Sequence, residues 1–580
     1  MIHQAIQAFQ SGNLGSAEAT LSRVLLVHPK NLPALHILGL IKASQSKHKE
    51  AAELLKRAIR LNPNEPSLHY NLAKALQESG ADRESLPHHK KAVELNPSNP
   101  EAWLNYGKSL SNLGFNIDAL EVYKKSLQVN PNYTEAFLNI GATLKDLYRY
   151  EEALSYADKT ISINPSLAGA WSNRGIALKE LKRYDEALAS YDKAIEYKPD
   201  YHEAWSNQGV TLNELKRYDE ALASYDKAIE FKPDYHEAWS NRGIALKELK
   251  RYDESLASFD KAIEYKPDYY DSYWNKALTQ LLTGNFEDGW ENYEYRWKRA
   301  KADSMRHQQF PSPTNLKEIS GKKVLVWSEQ GYGDTLQFSR FIEKLIELKA
   351  DVIFEVQEPL KALFQNSFLC TKVINQEESM GVINYQIPLV SLPYLFSTNI
   401  DNIPSASSYI RAEEDNCIFW RNQLNLTNEK MNIGIACSGN KNHLNDKNRS
   451  MDLRFFEPMI NKANLFLIQK DLREIDRDFL NQHPEIKFLG EEIKSFSDSA
   501  SIIQNMDLVI SVDTSLAHLS GAVGKPTLIL LPWNPEWRWL IDREDSPWYP
   551  TAKIFRQSNI DHWEEVIKEV MLHIKLDYPS

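Results

Sequence analysis

Asp513-Thr514-Ser515 follows the apolar run LVISV and opens a segment of helical pattern, so two hydroxyls and a set of free amides meet where a helix begins. Such a start attracts an anion, the helix dipole adding about 0.3–1 kcal/mol. His518 comes one turn later. Asp513 would serve equally as a helix cap, and His518 as a core histidine with an internal partner. A second carboxylate, Asp334, stands in Gly331-Tyr332-Gly333-Asp334, at the turn between the run KVLVW and a helix. A carboxylate so placed suits proton removal from a hydroxyl, a role that contributes about 10²–10⁴ in rate, and it suits helix capping just as well. The loop Ser438-Gly439-Asn440 after NIGIAC leads to Arg449, and Gln469-Lys470 ends the run LFLIQ. Charge-assisted hydrogen bonds are worth about 1.5–3 kcal/mol, more than a bare helix end, which makes Arg449 and Lys470 the candidate cations for a bound anion. Arg449 as an exposed surface arginine is the alternative. Trp533, Trp537, Arg538 and Trp539 are dense enough to read as a packed buttress and are not assigned to the site.

Other chemistries are excluded. Gly331-Tyr332-Gly333 lacks the third glycine of a dinucleotide fingerprint, since position 336 is leucine. Gly521-Ala522-Val523-Gly524-Lys525-Pro526-Thr527 runs into a strand, whereas a phosphate-cradling loop must open a helix after its lysine. Cys370, Cys417 and Cys437 have no paired spacing, so neither a disulfide framework nor a metal site is expected. With 68 Lys+Arg against 79 Asp+Glu the net charge is -11, which disfavours nucleic acid as a partner. No signal segment and no apolar stretch long enough to span a bilayer is recognisable, and a cytoplasmic location is expected.

These residues need rigid elements to hold them. Short apolar runs alternate with helical segments from KVLVW through DVIFEV, VINYQI, NIGIAC, LFLIQ, DLVISV and TLILL, the pattern of parallel α/β sheets. We expect two Rossmann-like halves, 321–428 and 429–580, with ligand beyond the strand ends between them. Upstream the pattern is different. Pro29, Pro63, Pro97, Pro131, Pro165, Pro199, Pro233 and Pro267 recur every 34 residues, the mark of an α solenoid. In one unit Trp171, Gly175 and Leu178 share a helical face, Ala187, Tyr191 and Ala194 share the next, and Pro199 stops the second helix. The small residues should let the helices approach while the aromatic ones fill the gap. Eight repeats and a divergent ninth occupy 1–300, and a Pro-containing linker spans 301–320. Asn71, Asn105, Asn139, Asn173, Asn207, Asn241 and Asn275 recur about 200° around the first helix from the aromatic position. Such a ladder of amides suits the backbone of a bound protein or peptide, or hydrogen bonds between repeats. The Lys182-Arg183-Tyr184-Asp185 type of turn reads as solvated charge.

The 34-residue unit resembles the tetratricopeptide repeat, and the asparagine ladder resembles that of O-GlcNAc transferases. Gly333-Asp334, SGNKNHLNDKNRS, LIQK, DTSLAHLSGAVGKPT and PWNPEWRW through SPWYP together resemble the heptosyltransferase-like glycosyltransferases of family nine. That resemblance implies the GT-B fold, acceptor on the first half, nucleotide sugar on the second, no metal, and Asp334 as general base. It gives a glycosyltransferase using a nucleotide diphosphate sugar as co-substrate, without further cofactor, with a protein or peptide acceptor on the repeats. A glycolipid or polysaccharide acceptor, and a non-catalytic scaffold, are the alternatives.

Overall fold

The computed structural model describes residues 1–300, 305–369, 371–426, 429–442, 445–560 and 562–575, so Cys370 lies outside the described residues. The chain divides into two compact units, Met1–Asn241 and Arg242–Ser580.

The first unit is built of antiparallel helix pairs, from Ile2–Gln10 with Leu14–Val27 to His202–Glu214 with Tyr218–Phe231. Tyr191 is fully buried against Gly175, where an added Cβ would fall 2.6 Å from the ring. The same contact recurs at Gly107 with Tyr123 and Gly209 with Tyr225. Burying such a ring stabilises a pair by about 1.5–3 kcal/mol, and only glycine leaves room for it. The first-helix aromatic behaves differently from the expectation that it fills the gap. Trp171 is half-buried and donates its indole N–H to the Pro165 carbonyl at 2.7 Å, as Trp103 does to Pro97 and Trp205 to Pro199. The proline thus ends one helix and offers the acceptor that fastens the next. Within each pair the turn is left-handed, at Gly80 and Gly114 (φ 79°) or at Lys182 (φ 61°) and Lys216 (φ 60°). Arg183 grips Glu186 at 2.7 Å on the exposed surface, where solvent screens the pair.

The second unit joins the last repeats to the α/β region. Its first sheet contains β1 (Lys323–Trp327), β2 (Asp351–Glu355), β3 (Lys372–Ile374) and β4 (Tyr385–Pro388) in the order β3-β2-β1-β4, all parallel. Its second contains β5 (Asn432–Ala436), β6 (Asn464–Leu467), β7 (Lys487–Phe488), β8 (Leu508–Val512), β9 (Thr527–Leu531) and β10 (Ala552–Arg556) in the order β10-β9-β8-β5-β6-β7, again parallel. Strands β5 and β8 are buried along their whole length, as helices on both faces require. In each sheet the first strand in sequence, β1 or β5, has neighbours on both sides, which opens a crevice at its carboxyl end.

The divergent ninth repeat, helices Tyr270–Leu282 and Phe286–Tyr293, belongs to this core. Ala277, Leu281, Phe286, Trp290 and Tyr293 share one apolar cluster with Val324, Phe338 and Trp537. Trp290 donates its indole N–H to the Thr398 carbonyl at 3.1 Å, and buried Arg296 makes two 2.9 Å bonds to Glu329 just past β1.

Candidate functional site

The loops at the carboxyl ends of β1, β5, β6, β8 and β9 enclose a cavity of about 930 Å³. Asp334 lies on its wall in the first turn of the Tyr332–Phe338 helix. One carboxylate oxygen, Oδ2, accepts the Gly331 N–H at 3.0 Å, and the other, Oδ1, accepts from the Arg538 guanidinium. Capping and cavity placement therefore coexist in one side chain.

Opposite stands the Ser515–Val523 helix. Its cap is the Thr514 side chain, which accepts the Leu516 N–H at 3.3 Å; Asp513 does not cap it. Thr514, Ser515 and His518 line the cavity, whereas Asp513 is buried behind the helix start. Burial, with the Glu536 carboxylate adding, pushes the Asp513 carboxyl up to about 6. His518 shares a 2.9 Å hydrogen bond between Nδ1 and the Tyr549 hydroxyl and stacks on Trp539 at 5.2 Å. Burial, with Arg538 nearby, holds its imidazole well below the usual range, so it is neutral at pH 7. The two helix starts meet closely because position 333 is glycine: a Cβ there would fall 2.9 Å from the His518 ring and 3.7 Å from the Ser515 Cα.

The loop after β5 completes the far wall. Gln469 braces it, its carbonyl accepting the Cys437 and Ser438 N–H groups at 2.9 and 3.1 Å and its amide donating to Ser438 Oγ at 2.8 Å. Gly439 leaves space for Arg449, whose Nη2 would lie 2.9 Å from a Cβ there. Arg449 is mostly buried, and its Nε has no hydrogen-bond partner among the described residues, Asp446 being 3.9 Å away. Asp446 is already engaged by Arg473 and Ser450. Asn440 and Lys470 sit at the exposed rim. A buried guanidinium with free donor capacity suits an oxyanion.

Sequence reasoning passed over Arg538. Trp537 and Trp539 are indeed buried as a buttress, but Arg538 stacks on Trp537 at 4.5 Å and projects into the cavity, bridging Asp334 and, at 3.2 Å, Glu536. An arginine inside an aromatic segment must find a counter-charge, and that is the signal which could have singled it out. Trp274, Leu278 and Tyr293 of the ninth repeat also reach this wall, with no motif announcing them.

The asparagine ladder lies elsewhere. Asn71 and Asn105 reach the preceding repeat, pairing with His36 at 2.9 Å and donating to the Tyr70 hydroxyl at 3.2 Å. Asn139 donates to the Glu135 carbonyl of its own helix at 2.7 Å. Asn173, Asn207, Asn241 and Asn275 are half-buried. Among the described residues there is no His/Cys/Asp/Glu group arranged to hold a metal ion, and no helix is long and apolar enough to cross a membrane.

Comparison with known proteins matches residues 39–80, 100–133, 134–164, 172–236 and 236–269 to tetratricopeptide repeats. Residues 486–571 match glycosyltransferase family 9 (heptosyltransferase), a span that contains β8, the Ser515–Val523 helix, β9 and Arg538 but not Asp334. Protein FlbA of Caulobacter vibrioides is 22% identical over 322 residues, covering 51% of this chain and 53% of its own length, so the match spans about half of that relative. A tetratricopeptide repeat protein of Parabacteroides merdae is 21% identical, covering 43% of this chain and 98% of its own, with a TM-score of 0.39. A thermophilic repeat protein of Thermus thermophilus is 25% identical, covering 32% and 100%, with a TM-score of 0.30. The chain thus joins an array that matches tetratricopeptide repeats to a region, 486–571, that matches glycosyltransferase family 9 (heptosyltransferase).

Proposed function

We propose that the protein is a glycosyltransferase that moves a sugar from a nucleotide-sugar donor to a protein or peptide acceptor carried by its repeats. The observation that supports this most is the shared cavity: the family-matched helix start at Thr514 and Ser515, the cations Arg449 and Lys470, and the carboxylate of Asp334 line one space of about 930 Å³. That volume accommodates a nucleotide sugar. In the reaction the acceptor hydroxyl gives its proton to Asp334 as its oxygen bonds to the sugar's anomeric carbon. The bond from that carbon to the diphosphate breaks, and the diphosphate leaves with the electron pair. Arg449, Lys470 and the amides at Thr514 and Ser515 receive the new charge, where each charged hydrogen bond is worth about 1.5–3 kcal/mol.

A donor screen with mass detection of the modified acceptor tests this. D334N is expected to lower transfer by about 10²-fold or more while nucleotide is still bound. Transfer at the wild-type rate removes Asp334 from the base role. Replacing Asn173, Asn207 and Asn241 together by alanine is expected to weaken use of a protein acceptor and leave donor affinity unchanged. A triple variant with full acceptor use assigns the ladder to repeat packing. Transfer to a glycolipid but to no protein would replace the acceptor assignment.

A further inference from the structure

Arg538 has no task in the reaction just outlined, yet it occupies the centre of the cavity wall. It lies after β9 in the second half, and Asp334 lies after β1 in the first, so their ion pair crosses the cleft. The guanidinium also holds Glu536 at 3.2 Å, rests on the Trp537 ring at 4.5 Å, and keeps a buried Nε with no hydrogen-bond partner among the described residues. Its charge is felt at Asp513 and at His518, on either side of the Thr514-Ser515 helix start. A guanidinium is a fork suited to two oxygens at once, and a diphosphate at that helix start would offer it more negative charge than one carboxylate.

Resting on the donor reading above, we propose that Arg538 exchanges its ion pair with Asp334 for the donor's diphosphate, so that donor binding uncovers the carboxylate for the acceptor hydroxyl. The exchange swings one side chain and makes or breaks no covalent bond. It imposes an order in which donor precedes a productive acceptor. It also sets Asp334 and the diphosphate in competition for a single cation. By linkage, removing the carboxylate's charge must then strengthen diphosphate binding. Simple loss of repulsion between the Asp334 carboxylate and a diphosphate would strengthen binding even without Arg538, whereas the exchange requires the guanidinium.

Calorimetric titration of ADP, GDP, UDP, CDP and inorganic pyrophosphate into the full-length wild type, D334N, R538K and R538Q tests the exchange. D334N is expected to bind the preferred diphosphate about fivefold or more tightly than wild type. R538Q is expected to bind it about tenfold or more weakly, with R538K between the two. D334N combined with R538Q should bind no more tightly than R538Q alone. Equal affinity in wild type and D334N overturns the exchange and leaves the donor site standing. Absence of any diphosphate binding to wild type overturns the donor reading itself, and the exchange with it. Should R538Q not fold, as judged by its melting curve, D334N and R538K still decide the matter.

Discussion

At the scale of single residues the cavity is a place where charges are set against burial. Asp513 lies behind the helix start with its carboxyl raised to about 6 by burial first and Glu536 second. An acid whose folded value exceeds its unfolded one binds more protons folded than unfolded across the interval, so stability is full at about pH 4 and falls as pH rises through about 6. Melting curves of wild type and D513N at pH 5 and 7.5 should therefore diverge, the asparagine variant gaining on the order of 2 kcal/mol relative to wild type at the higher pH. A gap that does not change with pH would show that Asp513 titrates normally. Residue-scale features were legible unevenly. Asp334, Arg449, Lys470, Thr514, Ser515 and His518 all sit just past strands that could be read from apolar runs, and strand ends in a parallel sheet share one edge, which is why they line one cavity. Arg538 was not legible as a site residue, because its partner Asp334 is 204 positions away and spacing says nothing of that distance.

At the scale of elements, the approach of two helix starts rests on Gly333. In G333A the methyl would press on a His518 ring already held by Tyr549 and Trp539, so the Tyr332–Phe338 helix must move. Overpacking of this kind costs about 1–3 kcal/mol. The variant should melt lower and lose most of the stabilisation that a nucleoside diphosphate confers on wild type, as followed by thermal shift. A normal response to nucleotide would mean that the two starts need not touch. The strands themselves were readable where they are long and apolar, as β1, β5, β8 and β9 are. Strands β3 and β7 have only three and two residues, too few for any periodicity, and β10 mixes Lys553 and Arg556 into its run. The repeat helices were plainest of all, since 34-residue recurrence multiplies a weak local signal; the role of Trp171 escaped because a backbone carbonyl partner leaves no trace in side-chain patterning.

At the scale of the molecule, the lapse of the helical period after Arg299 marks where the repeats stop, but not which of them pack on the sheets. Burial of Trp290 and Tyr293 beside Phe338 and Trp537 places the ninth repeat in the α/β core. A fragment of residues 236–580 is expected to be soluble, to melt cooperatively and to bind a nucleoside diphosphate. One of residues 321–580 would expose the surface that Phe286, Trp290 and Tyr293 cover and should aggregate or fail to fold. Equal behaviour of the two fragments, compared by gel filtration and calorimetry, would separate the ninth repeat from that core.

The helix pairs between 168 and 265 repeat the same glycine-to-ring contact, proline stop and left-handed turn almost letter for letter, and this makes them interchangeable cassettes. Unequal crossing-over in the gene can add or drop a whole 34-residue block without creating a new kind of joint. Because the lining of the cavity comes from Trp274 onward, array length and cavity are free to diverge independently, and a lineage can add repeats while inheriting the cavity unaltered.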